Sequence, residues 1–146
     1  MRVGLKIQRT LDLEVAQAQR RQFLCRLLAR VRLQQFRGWS EPHAAIIDTG
    51  APYSLIPSTL WPSLKTHRIL DLSIRGIVPG ETAEMQATMA TIRVKLLGAM
   101  HASRPLTLWA MLATHDRVPL ILGWAGLLDR AKLVIDAPRH AAWLEF

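Results

Sequence analysis

One aspartate stands where a charge is costly. The segment 44–57, AAIIDTGAPYSLIP, carries Asp48 directly after an apolar run and directly before Thr49-Gly50. A run of this kind belongs in the interior, where desolvation penalises an ionised carboxylate. Asp-Thr-Gly can also form an ordinary surface turn, but such a turn needs neither Ala-Ile-Ile before it nor Leu-Ile-Pro after it. An acid kept at the end of a buried strand is a candidate for general acid–base work. A second signal comes far downstream, in PLILGWAGLLDR (119–130), where an apolar triplet meets Gly123 and leads toward a short helix.

Other chemistries find no support. The five histidines, at 43, 67, 101, 115 and 140, are scattered along the chain, so no closely spaced zinc-type pair exists. The chain has no P-loop and no G-x-S-x-G nucleophile elbow. Cys25 is the single cysteine, which precludes an intrachain disulfide and predicts a reducing, cytoplasmic setting. Its place in an apolar stretch predicts a buried structural thiol. No metal and no cofactor are expected.

The elements that must position Asp48 are mostly short strands. At 146 residues and 50% apolar, the chain suits one domain with a real core. Its longest apolar run, PLILGWAGLL (119–128), is about half of a membrane span, and no secretory leader is expected. Apolar residues at helical spacing over 11–28 predict a helical or loosely ordered N-terminal extension, residues 1–28. From Ala29 the alternation of ARVRLQ predicts a strand, and Gly38 and Pro42 predict a turn into strand 44–48. Further strands are expected at 91–96, 106–112, 131–136 and 141–146, with helical turns in 57–64 and 124–130. No internal repeat is evident by eye. Residues 1–41 hold nine Lys and Arg against three acids, and the remainder ten against eight. The formal charge of +8 therefore sits mainly on the N-terminal segment, as a solvated face with no aromatic stacking pattern for nucleic acid.

With both signals in view, the chain resembles the retropepsin-like aspartic proteases, in particular their small bacterial single-domain members. The resemblance rests on Asp-Thr-Gly-Ala (48–51) and Leu-Ile-Leu-Gly (120–123) and runs over about residues 29–146. It implies a small closed β barrel with one or two short helices, and a polypeptide substrate. Two carboxylates sharing one proton would activate a water, with no metal and no covalent intermediate. Because no other aspartate is followed by Thr-Gly or Ser-Gly, the second carboxylate must come from another copy of the chain.

The resemblance also assigns roles. Thr49 would hydrogen-bond across the dimer axis, Gly50 would allow close approach, and Ala51 would keep the floor small. Ser54 would be a structural hydrogen-bonder, and Gly123 would let its strand pass tightly behind the turn. The hairpin 74–85, with Gly76, Ile77, Val78, Pro79 and Gly80, would form a flap, and the last strand would pair with the other subunit or lie in the core. Pro52 and Trp124 stand where retroviral members carry an acid and an arginine, so their bracing charged pair is absent. A second reading is a retropepsin-like module without activity, used for dimerisation or peptide binding, with the basic segment as a docking arm.

Overall fold

Period-two alternation of apolar and polar residues governs most of the chain, and the computed structural model describes residues 1–17, 22–74 and 85–146. Its strands are β1 (Arg2–Leu11), β2 (Phe23–Leu33), β3 (His43–Ile47), β4 (Ser54–Ile56), β5 (His67–Ile74), β6 (Met85–Leu97), β7 (Leu106–Ala113), β8 (Ile121–Leu122), β9 (Lys132–Asp136) and β10 (Ala141–Glu145), with one helix, α1 (Leu13–Gln17). The mostly-β expectation holds. No helix among the described residues is long and apolar enough to cross a membrane.

The helical reading of the N-terminal extension holds only at α1, and most of its described residues are strand. Residues 2–11 form β1, which pairs antiparallel with β10 through Arg2–Leu5 and with β2 through Lys6–Leu11. Phe23, Leu24, Leu27 and Leu28 fit a helical period, but Phe23, Cys25 and Leu27 fit a two-residue one, and the partner strand decides between them. Cys25 consequently lies exposed on β2 instead of buried in a helix. The expected helix at 124–130 shrinks to a 3₁₀ turn at Leu128–Arg130, because Gly126 takes a φ of +91° that no helix accommodates. A matching 3₁₀ turn occupies Trp61–Ser63. The last strand, β10, lies within its own chain between β1 and β9.

Strands follow the order β5-β6-β7-β4-β8-β3-β2-β1-β10-β9, and an additional β6–β2 pairing links β6, β7, β4, β8, β3 and β2 into a ring. Val31 and Leu33 of β2, Val94 and Leu96 of β6, Leu108 of β7 and Leu122 of β8 belong to one core cluster and are fully buried.

An internal repeat, missed in the linear text, becomes plain in three dimensions. Arg30-Val31-Arg32-Leu33 returns as Arg93-Val94-Lys95-Leu96, and at the same offset Ser40 returns as Ser103 and Pro42 as Pro105. In the β2–β6 ladder Val31 faces Leu96 and Leu33 faces Val94, so each repeat sees the other through a local two-fold. The two buried serines make the same bonds. Leu33 N–H donates to Ser40 Oγ at 3.0 Å and Leu96 N–H to Ser103 Oγ at 2.9 Å. Each hydroxyl then donates to the next residue's carbonyl at 2.7 Å. The parallel pairs β3–β8 and β7–β4 extend the symmetry.

Removing either hydroxyl leaves a buried strand N–H without its acceptor. Ser40→Ala and Ser103→Ala are each expected to lower stability by about 2 kcal/mol, read as matching shifts in urea midpoint. A loss confined to one of the two would contradict the equivalence.

Candidate active site

Asp48 is held by the main chain on both sides. Ile46 and Ile47 of β3 run parallel to Ile121 and Leu122 of β8. Ile46 N–H donates to Leu120 O at 2.9 Å and Asp48 N–H to Leu122 O at 3.0 Å, so the ladder carries the aspartate to the strand exit. There the chain turns. Gly50 N–H donates to Asp48 Oδ1 at 2.8 Å, and Ala51 N–H donates to Asp48 O at 3.3 Å. The side chain is thus fixed by its own turn, as Asx turns are.

Behind the turn passes Gly123. A Cβ there would overlap the carbonyl oxygens of Ala51 and Tyr53, the latter at 2.5 Å, and both obstacles are backbone. Gly123 N–H donates to Ser54 Oγ at 3.2 Å, and Ser54 is fully buried. Trp124 N–H reaches Ala51 O and Ala125 N–H reaches Pro52 O, each at 2.9 Å. The structure therefore brings Asp48, Thr49, Gly50, Ala51, Ser54 and Gly123 into one assembly. The candidate flap residues Gly76, Ile77, Val78, Pro79 and Gly80 lie outside the described residues; β5 and β6 pair up to Ile74 and Met85 on either side of them.

Trp124 adds a contact that the linear reading did not find. Its indole Nε1–H donates to Thr49 O at 2.6 Å, bridging two segments far apart in sequence. The position where retroviral members carry an arginine thus holds the turn here with a neutral donor. A tryptophan directly after a glycine that must abut the turn was the available signal.

Beside Asp48 opens a groove of about 410 Å³, walled by Ile7, Cys25, Leu27, Leu133 and Ile135. Mostly apolar walls beside one half-buried acid suit an extended, largely apolar ligand. A second hollow, of about 320 Å³ at Lys65, His67 and Arg93, contains no carboxylate. Among the described residues no group of three or more His, Cys, Asp or Glu could hold a metal ion.

Residues 21–129 match the family model of the retroviral aspartyl protease. No curated protein and no solved structure matches the chain. The matched span contains the Asp48 turn and Gly123 and ends before β9.

Two substitutions separate the contacts that hold the turn. Trp124→Phe keeps the ring and removes the donor to Thr49. It is expected to cost about 1 kcal/mol and to speed amide exchange at Gly50 and Ala51. Gly123→Ala must move backbone and is expected to cost about 3 kcal/mol in urea unfolding. Wild-type exchange rates in Trp124→Phe would refute the brace.

Proposed function

The chain belongs to the retroviral aspartyl protease family, and from that premise we propose that it is a homodimeric aspartic endopeptidase with one Asp48 contributed by each protomer. The observation that carries this reading is the main-chain cradle of Asp48, whose Oδ1 accepts Gly50 N–H while Gly123 lies locked against the back of the same turn. An acid held this firmly is poised to meet a reacting group without reorganising. The sequence contains one Asp-Thr-Gly, so a second copy supplies the other carboxylate.

Two carboxylates brought together share one proton, because like charges at that range do not both ionise. The ionised member takes a proton from a water between them, and the water oxygen bonds to the peptide carbonyl carbon. The protonated member donates a hydrogen bond to the carbonyl oxygen as negative charge grows there. Proton delivery to the amide nitrogen then lets the C–N bond break, leaving an acid and an amine. Thr49 braces the partner turn across the axis. Retropepsin-like closure of the strand ring into a barrel belongs to the same reading.

Asp48→Asn keeps the shape of the turn and removes the titrating group. It is expected to lower kcat/KM on an unstructured protein substrate by at least about a hundredfold, with an unchanged melting transition. The parent's rate is expected to fall on both sides of an optimum, since the pair must hold one proton and no more. An Asn variant that cleaves as fast as the parent would overturn the assignment.

A further inference from the structure

The five residues of β9 read Lys132-Leu133-Val134-Ile135-Asp136 and are complementary to themselves in reverse. Laid antiparallel on a second copy with Val134 opposite Val134, the strand sets Lys132 against Asp136 and Leu133 against Ile135, twice over. We propose that two copies of this chain join by pairing their β9 strands about a two-fold axis at Val134, covering the apolar groove beside Asp48. The inference deepens the homodimer reading above and rests on it, by naming the surface through which the incomplete site is completed.

Three features of the fold lead to this strand. First, β9 ends the sheet order, with β10 on one side and no described strand on the other. A regular unpaired edge is a template for another chain. The opposite edge, β5, is interrupted by a register shift between Arg68 and Leu70, whereas β9 meets β10 without a break. Shifts of that kind blunt an edge.

Second, the face of β9 that points inward is incompletely covered. Ile135 pairs with Ala142, which pairs with Leu5, and Leu133 pairs with Leu144, which pairs with Val3. These four partners are buried, yet Ile135 on the same face remains 54% exposed. It lines the groove that contains Asp48. A copy seated on β9 removes this apolar surface from water at the place where a second carboxylate is required. The outer face is already finished, with Arg2 stacked 4.5 Å above the ring of Trp143.

Third, the terminal strands are engaged with each other. β1 and β10 pair within one chain, and Met1 N and Phe146 N each bond to the other residue's carbonyl oxygen. Among the described strands of this corner, β9 is the one with no strand pairing along one whole side. Its charges lie at its two ends, where an antiparallel neighbour reverses them, so the pairing selects one register. Asp136 also holds Arg139 at 3.2 Å within its own chain, on the solvent side.

Sedimentation of the parent is expected to give twice the 16.5 kDa chain mass. Lys132→Asp puts like charges together at both ends of the paired strands and should raise the dimer Kd about tenfold. The reversed pair Lys132→Asp/Asp136→Lys should restore it, with melting curves to verify folding. In a second arm Cys25 is replaced by Ser, and the strand centre carries Val134→Cys. Residues directly opposed in an antiparallel pair have Cα atoms about 4.5–5.5 Å apart, within disulfide range. Mild oxidation should therefore give a covalent dimer, whereas Cys25→Ser/Met100→Cys, at a position 84% exposed, should not. A parent that stays monomeric at every concentration would overturn the inference, as would a dimer indifferent to Lys132→Asp that fails to cross-link at 134. Neither readout involves cleavage. A β9-linked dimer without peptidase activity would uphold the interface and sink the enzymatic reading, and an active dimer that does not cross-link would do the reverse.

Discussion

A missing methyl-sized group at Gly123 is the constraint on which the site depends. Because that residue has no Cβ, the 122–125 backbone lies directly against residues 51–53. Bonds from Asp48 N to Leu122 O, Trp124 N to Ala51 O and Ala125 N to Pro52 O then join the two segments. Every one of these donors is neutral, as is the Trp124 indole on Thr49 O. A brace built from ions would carry a desolvation cost and weaken with salt. A brace built from amides and an indole has no net charge to screen, and it leaves Asp48 as the acid among these segments.

The same segments express the internal two-fold. β3 continues into the Asp48 turn and lies parallel to β8, while β7 lies parallel to β4. Moved forward by the offset that carries Ser40 onto Ser103, Asp48 falls on Met111, which lies inside β7. There the strand runs on to Ala113, where β3 has already ended and turned. One half of the ring is therefore shaped for an acid, and the other half uses the equivalent stretch for pairing with β4 and β6. Symmetry inside the chain supplies the scaffold but not the second carboxylate. In the proposed enzyme a second chain does so.

Local pattern made much of this legible. TIRVKL alternates cleanly, and with the apolar runs LTLWAML and AKLVID it became part of β6, β7 and β9. Asp48 and Gly123 stood out because each interrupts an apolar run at a place where only close packing justifies it. The N-terminal segment misled, since its residues fit two periods and the choice between them belongs to β1 and β10, which lie far apart in sequence. The repeat was hidden because its halves share only a few positions, chiefly the Arg-Val-x-Leu strand and one serine. The role of those serines, accepting the N–H of a buried strand residue well before them in the chain, has no signature in one dimension. Trp124 was visible as a departure from the family pattern, but the reach of its ring to Thr49 depends on how tightly Gly123 packs.

The proposed association through β9 ties the appearance of the proposed active site to hydrophobic burial. Five paired residues make few hydrogen bonds, each contributing about 1 kcal/mol net, while joining two bodies costs at least about 4 kcal/mol. Ladder bonds and two rim charge pairs therefore set the register and do little more than offset that cost. The remaining free energy has to come from covering the groove that Ile135 and Leu133 share with Asp48. Burying those walls and bringing the carboxylates together are then one event. The strand lies outside the span that matches the family, residues 21–129, so the proposed association and the proposed acid chemistry fall in separate parts of the chain. Affinity between copies can accordingly change without touching the Asp48 turn, and the fraction of assembled sites follows the concentration of the chain.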